Sequence, residues 1–292
     1  MHTFFSRFIF SVLVIFTILP AQGQKVFRKG VGAQTGKVKP PSYEKYDLSV
    51  YEKKVWISPK GDTLGYRILL PENYDTSKQY PLVLFLHGAG ERGNDNEKQL
   101  THGAGLFLKP ENRKNFPAIV IFPQCDSLSY WSNVLIGIND STKKREFNFQ
   151  VNGEPTQAMN LLLQWLPELE QSYSIAASQR YIMGLSMGGM GTFEIVRRKQ
   201  NYFAAAVPIC GGANPKTVSA LTKTAFWIFH GMKDDVVPYQ LSETMVLGFQ
   251  SIYVAEEVNF TLYPEANHNS WDKALAEPDL LPWLFSIKSK HK

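Results

Sequence analysis

Cysteine is scarce in this sequence: the 292 residues contain only Cys125 and Cys210. The chain therefore relies on its hydrophobic residues, 44% of the total, to bury a full-sized core. Each cysteine falls at the end of a different predicted strand, and in the sheet order proposed below two strands lie between them, a gap of ~14 Å at ~4.8 Å per strand. A disulfide needs Cα atoms within roughly 7 Å of each other. We therefore expect one large domain with two free, buried thiols.

The sequence also lacks a cluster of basic residues that could form one basic face of the protein. The formal net charge is +5, but the basic residues are scattered and their clusters, such as residues 143–145, are short. Nucleic-acid binding requires basic residues gathered on one face, often interleaved with aromatic ones. The sequence therefore predicts no nucleic-acid partner, and it shows no internal repeat or low-complexity tract.

The apolar run at residues 8–19 is too short to span a bilayer, which takes ~20 residues. Arg7 precedes the run, and Pro-Ala-Gln-Gly follows it at 20–23. This is the pattern of a secretory signal peptide over residues 1–23, and the alternative is an uncleaved membrane anchor. We predict export to the periplasm or the extracellular space, without stable membrane insertion after cleavage.

The remaining sequence predicts a flexible leader at 24–45, which lacks periodicity, and one folded domain at 46–292. Continuous apolar runs such as 82–86 predict parallel strands covered on both faces, whereas the turn signal at 59–62 predicts an antiparallel hairpin. Amphipathic stretches lie between the runs, most clearly at 156–170. The fold class is α/β, a mostly parallel sheet with helices on both faces, and its eight strands are predicted at 50–57, 64–70, 81–86, 118–122, 180–185, 204–209, 225–229 and 258–263.

One connection is long for its place in this pattern. Residues 132–155 separate the fourth strand from the next helix, and long connections of this kind often carry function. We predict an extra hairpin or flap. Because ligands of open parallel sheets bind outside the carboxyl ends of the strands, it should lie near the pocket. The alternative is an inert surface decoration.

A serine stands in a glycine-rich turn where a predicted strand meets a predicted helix. Ser186 lies in Gly-Leu-Ser-Met-Gly-Gly at 184–189, and glycines on both sides allow a strained turn that raises the hydroxyl above the sheet. The G-x-S-x-G pattern alone is weak, but its position between strand and helix makes it specific. The N–H of Met187, at the start of the helix, is placed to bind an oxyanion. Ser186 is therefore the candidate nucleophile.

A serine nucleophile needs a base and a carboxylate that fixes the tautomer of the base. Asp234 and Asp235 follow the seventh strand, and His268 follows the eighth. Serine, acid, histidine is the chain order expected for this kind of sheet. Taken singly, Ser186 could be structural, the carboxylates could be helix caps and His268 a solvated loop residue. Together, at three strand ends, they predict a catalytic triad.

The loop after the third strand supplies a second oxyanion donor in such sites. It reads His-Gly-Ala-Gly-Glu-Arg-Gly at 87–93, and we predict the N–H of Ala89 as the donor. The lysine and the serine or threonine of a phosphate-binding P-loop are absent. We expect His87 to brace the loop, with a role as base as the alternative, and a Glu91–Arg92 pair could hold its shape.

Two tryptophans near the predicted site have two interpretations. Trp131 comes shortly after the fourth strand, and Trp271 lies just past His268. Either could line an acyl or aryl pocket, or belong to the core. We predict both as substrate-binding residues, and we predict no metal ligand and no cofactor.

These motifs together resemble the bacterial predicted-peptidase or esterase group of the α/β-hydrolases, which is similar to feruloyl esterases, acetylxylan esterases and polyhydroxybutyrate depolymerases. The resemblance implies an eight-stranded sheet with the order 1-2-4-3-5-6-7-8, and it selects Asp234 over Asp235 as the acid. The insert at 132–155 is longer than the usual connection of that family. The likeness extends from about residue 80 to 283 and rests on segments 86–93, 123–125, 184–189, 208–212, 230–238 and 263–268.

Together with the predicted export and the predicted triad, the resemblance implies a serine carboxylesterase that works through Ser186, Asp234 and His268 with an acyl-enzyme intermediate. Its expected partner is a small-molecule or polysaccharide-linked ester, and the specific hypothesis is an acetyl or feruloyl ester of plant polysaccharide. The alternative is a serine peptidase with the same triad. A third reading, from another class, is a catalytically inactive carbohydrate-binding module.

Overall fold

The computed structural model describes residues 28–31, 46–252 and 256–290. The strands in these ranges are β1 Arg28–Val31, β2 Glu52–Ile57, β3 Thr63–Leu69, β4 Tyr80–Leu86, β5 Ile119–Pro123, β6 Val134–Ile138, β7 Arg145–Phe149, β8 Ile175–Leu185, β9 Ala205–Ile209, β10 Ala225–Gly231 and β11 Val258–Tyr263. The helices are α1 Ala104–Leu108, α2 Pro110–Asn115, α3 Gln157–Ser172, α4 Met187–Arg198, α5 Gln240–Gln250, α6 Trp271–Ala274 and α7 Leu280–Ser286. Within the described ranges, no helix has both the length and the apolar character to cross a bilayer.

The main sheet has nine strands in the order β1-β11-β10-β9-β8-β4-β5-β3-β2. In this order, every pair of neighbouring strands from β1 along to β5 is parallel. At the far edge, β3 is antiparallel to both of its neighbours, β5 and β2. The continuous apolar run of β5 is buried throughout, because helices cover both faces of the sheet. The predicted order of eight strands is confirmed, with β2, β3, β5, β4, β8, β9, β10 and β11 in succession.

The ninth strand, β1, is an addition to the predicted sheet. It pairs in parallel with β11, from Arg28 opposite Asn259 to Val31 opposite Leu262. It lies inside the 24–45 segment, so the prediction of a flexible leader is corrected for these residues. Backbone hydrogen bonds suffice to hold a short edge strand, and the sequence Arg-Lys-Gly-Val has no apolar alternation to reveal it. The rest of that segment and the predicted signal peptide lie outside the described residues.

Helices cover both faces of the main sheet, as predicted. On one face α3, α4 and α5 pack together, and Leu162, Phe193 and Phe249 are fully buried in one hydrophobic cluster. On the other face α1 and α7 contribute Phe107 and Leu284 to a second cluster. With both faces covered, the strand ends and their loops are where the sheet can bind a ligand.

The two cysteines are free and buried, as predicted. Cys125 follows β5 and Cys210 follows β9, and the strands β8 and β4 lie between them in the sheet. The separation across two strands excludes a disulfide between them.

The insert at 132–155 contains a second sheet, an antiparallel hairpin formed by β6 and β7. Its base is attached to α4. The guanidinium of Arg197 donates to the Val151 carbonyl oxygen at 3.1 Å, and that of Arg198 donates to the Gly153 carbonyl oxygen at 3.0 Å. The hairpin is thus bound to the same helix that begins at the glycine-rich turn.

Candidate active site

Ser186 occupies the sharp turn between β8 and α4. Its backbone has φ 53° and ψ −116°, a conformation that residues other than glycine rarely adopt. A Cβ on Gly184 would lie 2.3 Å from the Gly188 carbonyl oxygen, and one on Gly188 would lie 2.0 Å from the Leu86 carbonyl oxygen. Only glycine fits at these two places, which explains the glycines around the serine. The turn holds Ser186 at the carboxyl edge of the sheet.

The structure brings Ser186, His268 and Asp234 together from three separate loops. Ser186 Oγ lies 2.9 Å from His268 Nε2, and His268 Nδ1 lies 2.8 and 3.0 Å from the two carboxylate oxygens of Asp234. An ionised carboxylate only accepts hydrogen bonds, so Nδ1 carries the proton and Nε2 is free to accept from the serine hydroxyl. The arrangement can therefore move a proton from the serine to the imidazole.

The side chain of Asp234 is completely enclosed and receives several N–H donors. Its Oδ1 accepts from the backbone N–H of Val236 at 3.0 Å and of Val237 at 2.8 Å, and its Oδ2 lies 3.1 Å from Nε2 of His230. Burial alone would raise the pKa of this carboxyl. Hydrogen bonds from His230, from His268 and from the Val237 N–H outweigh burial and hold the pKa well below its usual range. Asp234 is therefore ionised at neutral pH.

Asp235, the other carboxylate of this loop, is exposed. Its backbone N–H donates to Asn267 Oδ1 at 3.0 Å, and the same oxygen accepts from the backbone N–H of His268 at 2.7 Å. Asn267 thus ties the acid loop to the histidine loop. The carboxylate that faces the imidazole is Asp234, the one that the family resemblance selected.

The sequence pattern did not single out His230, which contacts the site from below. It is completely buried, and its Nε2 lies 2.9 Å from the Val237 carbonyl oxygen as well as close to Asp234. Its Nδ1 lies 2.8 Å from Ser242 Oγ. Its position at a strand end, four residues before the acid, could have pointed to it. The motif that contains it was used only for the resemblance.

The two predicted oxyanion donors lie at the starts of helical turns. Met187 is the first residue of α4, and Ala89 is the first residue of a short 3-10 helix, Ala89–Glu91. The first N–H groups of a helix have no acceptor within it and carry partial positive charge. Ala89 lines the cleft together with Ser186, whereas Met187 is fully buried and is not among the lining residues. The role of the two N–H groups as oxyanion donors stays a prediction.

His87 braces the loop that carries Ala89. It is 1% exposed, its Nε2 accepts from the Cys125 N–H at 2.9 Å, and its Nδ1 donates to the Gly88 carbonyl oxygen at 2.7 Å. Burial lowers the pKa of His87 to about 4. Because both ring nitrogens are bonded to the backbone, the geometry favours the bracing role over a role as base.

The expected Glu91–Arg92 pair is wrong. Arg92 instead donates to the backbone carbonyl oxygens of Ser127 and Ser129, both at 3.1 Å. Glu91 Oε1 lies 3.8 Å from His102 Nε2. Carbonyl groups of the neighbouring loop need donors, and the long guanidinium reaches them across the gap between the loops.

A cleft of about 520 Å³ lies over Ser186 and His268. Trp271 lines it, as predicted for a substrate-binding residue, with its ring centroid 5.3 Å from that of His268. The hairpin forms part of the rim of the cleft through Ile136 and Phe147. Other side chains around the cleft are Glu91, Arg92, His102, Tyr130, Arg145 and Val236.

Trp131, in contrast, is fully buried and is not among the residues that line the cleft. Its ring packs edge-on against His87, with centroids 5.5 Å apart. A Cβ on Gly191 would lie 2.5 Å from the Cβ of Trp131, so the tryptophan sits tightly against α4. Its predicted role in substrate binding is therefore corrected, because the side chain turns into the core and not toward the cleft.

Cys210 lies close to the hydrogen-bonded residues. Its Sγ, a carboxylate oxygen of Asp234 and a ring nitrogen of His268 are all within 4.8 Å of one another. Burial, followed by the charge of Asp234, raises the pKa of the thiol well above its usual range. A metal ion would need the thiolate, and it would also have to break the bond between imidazole and carboxylate. We therefore assign these groups to the hydrogen-bonded site and not to a metal centre.

The sheet order, the strained serine turn and the three converging loops define an α/β-hydrolase. The sequence profile of the Phospholipase/Carboxylesterase family matches residues 73–278. The chain belongs to this family.

Curated proteins with similar sequences include two esterases of fungi. Probable feruloyl esterase C of Aspergillus terreus is 26% identical over 177 residues, which cover 59% of this chain and 56% of that protein. The bifunctional acetylxylan esterase/xylanase XynS20E of Neocallimastix patriciarum is 32% identical over 172 residues, 58% of this chain and 22% of that protein. The match thus spans little more than half of the first relative and less of the second.

Solved structures show the same architecture. A thermostable esterase superposes with a TM-score of 0.72 at 30% identity, over 82% of this chain and 64% of that one. A ferulic acid esterase from Anaeromyces mucronatus, in complex with ferulic acid, superposes with a TM-score of 0.59 at 16% identity, over 83% of this chain and 94% of that one. At 16% identity, the second likeness shows the fold alone.

Proposed function

We propose that this protein is a serine carboxylesterase in which Ser186 is the nucleophile, His268 the general base and Asp234 the residue that orients the base. The observation that carries the proposal is the continuous chain of hydrogen bonds from Ser186 to Asp234, at 2.9 and 2.8 Å. A serine hydroxyl is a weak nucleophile at neutral pH, and a chain of this kind activates it. The names of the curated relatives, a feruloyl esterase and an acetylxylan esterase, support an ester as the substrate.

The reaction follows from the positions of these atoms. Ser186 Oγ attacks the ester carbonyl carbon while His268 Nε2 takes the hydroxyl proton. The carbonyl oxygen becomes an oxyanion, which the N–H groups of Met187 and Ala89 bind. The C–O bond to the alcohol then breaks, and His268 returns the proton to the leaving oxygen. In the second half, His268 deprotonates a water molecule that attacks the acyl carbon, the bond to Ser186 Oγ breaks, and His268 returns the proton to Oγ as the acid leaves.

For the substrate we propose an acetyl or feruloyl ester carried by plant polysaccharide. Ile136 and Phe147 give the cleft an apolar rim, and Trp271 adds an aromatic face beside His268. Walls of this kind suit an aryl acyl group, while the few polar groups orient it. The relatives named as feruloyl esterase and acetylxylan esterase support the same class.

A panel of esters tests the proposal on the purified protein. We expect hydrolysis of p-nitrophenyl acetate, release of ferulate from methyl ferulate or of acetate from acetylated xylan, and little hydrolysis of a peptide p-nitroanilide. Hydrolysis of p-nitrophenyl acetate without release of ferulate from methyl ferulate or of acetate from acetylated xylan would reject the polysaccharide substrate. Amide hydrolysis at a rate comparable to ester hydrolysis would favour the peptidase. Failure of Ser186 to react with a fluorophosphonate probe would reject catalysis altogether and restore the binding-module reading.

We also propose export to the periplasm or the extracellular space. The support comes from the sequence pattern over residues 1–23 and not from the structure, because those residues lie outside the described part of the chain. Cell fractionation with N-terminal sequencing of the mature protein tests it, and we expect a new N-terminus near residue 23. A full-length chain found only in the cytoplasm would reject this proposal.

A further inference from the structure

His230 is a buried titratable group next to the proposed triad, and the mechanism above does not use it. It is the penultimate residue of β10, is 0% exposed and is not among the residues that line the cleft. A substrate in the cleft therefore does not touch it. Its Nε2 lies 3.1 Å from Asp234 Oδ2, so His230 can influence the reaction through that carboxylate.

The partners of His230 determine where its proton lies. Nε2 faces two oxygens that only accept, Asp234 Oδ2 at 3.1 Å and the Val237 carbonyl oxygen at 2.9 Å. Nε2 therefore carries a hydrogen and donates it. Nδ1 faces Ser242 Oγ at 2.8 Å. The hydroxyl has a single hydrogen, which it can donate either to Nδ1 or to the Gly211 carbonyl oxygen 2.9 Å away; in the second case its oxygen accepts from Nδ1.

Ser242 connects the imidazole to the rest of the fold. Its hydroxyl lies 2.9 Å from the Gly211 carbonyl oxygen, in the loop after β9. That loop packs against the serine turn, because a Cβ on Gly211 would lie 2.5 Å from the backbone carbonyl carbon of Gly189. The ring of His230 is thus held at Nδ1 by Ser242 of α5 and at Nε2 by two groups of the acid loop.

The carboxylate of Asp234 receives donors on different sides as a result. His268 Nδ1 approaches both oxygens, and His230 bonds only Oδ2. The extra donor restricts rotation of the carboxylate and shares its negative charge, which limits how strongly Asp234 stabilises a proton on His268. During the proposed reaction, His268 has to take up a proton and then release it to the leaving alcohol. Both the position and the charge of the carboxylate therefore affect turnover.

We propose that His230 is a positioning residue, whose Nε2–H orients Asp234 and moderates the proton affinity of His268. The inference rests on the proposed roles of Ser186, His268 and Asp234. The titratable groups that face the carboxylate are the two histidines and Cys210 from the end of β9. Burial raises the pKa of the Cys210 thiol well above its usual range, so the thiol is neutral at neutral pH.

Three substitutions separate positioning from packing. His230→Gln places an amide N–H near the position of Nε2, His230→Asn places one near the position of Nδ1, and His230→Phe keeps a ring without a donor. We expect the Gln variant to retain the most activity toward p-nitrophenyl acetate. The Asn and Phe variants should lose about 10- to 100-fold in kcat, with KM changed less than about threefold.

The pH profile supplies a readout that packing alone does not move. Without the donor, the carboxylate holds the proton on His268 more strongly, so the acid limb of kcat/KM should move to higher pH in the Asn and Phe variants. The rate of fluorophosphonate labelling of Ser186, measured against pH, should move in the same direction. This second rate reports the same proton transfer without requiring the natural substrate.

The outcomes distinguish this inference from the proposed substrate. Normal labelling of the wild type without ester hydrolysis would reject the proposed function, while the labelling rates of the variants still decide the role of His230. Equal losses in the Gln and Asn variants, or losses with an unchanged pH profile, would assign His230 to packing and overturn the inference. Absence of labelling in the folded wild type would overturn both. If the Phe variant does not fold, as judged by circular dichroism, the Gln and Asn pair decides.

Discussion

The floor and the rim of the cleft are built in different ways. In the floor, hydrogen bonds of 2.8 to 3.1 Å link Ser186, His268, Asp234 and His230 in one continuous set. At the rim, the hairpin β6–β7 leaves apolar side chains in water, with Leu135 62% exposed. Bonded polar groups tolerate little change, whereas exposed side chains usually tolerate substitution. We propose that the floor carries out the chemistry and that the rim selects the substrate.

The largest effect should come from the centre of the floor. Ser186→Ala removes the nucleophile and should lower turnover by at least ~10⁴-fold, because the remaining groups of a triad act through it. The measurement is kcat for p-nitrophenyl acetate, with circular dichroism to show that the variant folds. A loss below about tenfold would place the chemistry elsewhere in the cleft and break the comparison.

The acid of the floor should come next. Asp234→Asn presents an amide to His268 Nδ1 and favours the wrong tautomer, so we expect a fall in kcat of ~10³- to 10⁴-fold. The matched control is Asp235→Asn in the same loop, where the side chain is exposed. It should change kcat less than about twofold. Equal effects of the two substitutions would contradict the assignment of the acid.

His87 should make the free energy of unfolding of the protein depend on pH. Its pKa is about 4 in the folded protein, below the ~6.5 of an unperturbed histidine, so the unfolded chain binds more protons between these values. His87 therefore contributes about 3 kcal/mol to the free energy of unfolding above about pH 6.5, and this contribution is lost as the pH falls toward 4. Urea unfolding at about pH 7 and 4.5 measures it.

The control for this pH effect is His87→Gln, whose amide can replace part of the bonding but does not titrate. The variant should be less stable than the wild type at neutral pH and should lose less stability on acidification. A wild type and a variant with the same pH dependence of the unfolding free energy would show that His87 is not the titrating group.

The smallest effect should come from the rim. Phe147→Ala removes an aromatic ring from the cleft and should lower kcat/KM for methyl ferulate about tenfold, with a change below about threefold for p-nitrophenyl acetate. Asn148→Ala is the matched control, since its neighbouring position on β7 faces the other side of the hairpin. If both esters respond equally to the loss of Phe147, selectivity does not reside at the rim.

Local patterns revealed Ser186, Asp234 and His268 because each of these residues of the floor carries its own signal. The glycines beside Ser186 report a backbone restriction, and Asp234 and His268 each follow a buried strand whose apolar run is visible. The order of eight strands also followed from the resemblance that these motifs carry. Such features depend on residues that are neighbours in sequence, so reading the chain in order was enough.

Other features depend on partners far away along the chain. The role of His230 involves Ser242 on α5, and no local pattern announces that bond. Trp131 was assigned to the pocket because it follows a strand end, yet the direction of a side chain after a loop is decided by packing, here against His87. The edge strand β1 has no apolar alternation, since its pairing is made by the backbone.

The attachment of the hairpin has a consequence for protein engineering. Arg197 and Arg198 hold its base through backbone carbonyl groups of Val151 and Gly153, and both are anchored in turn on the buried Glu194. Contacts to carbonyl groups do not depend on which side chains the hairpin carries. The hairpin β6–β7, which directly precedes these anchors, is therefore a natural grafting point, where a foreign loop could be exchanged to reprogram selectivity while the chemical machinery beneath stays in place.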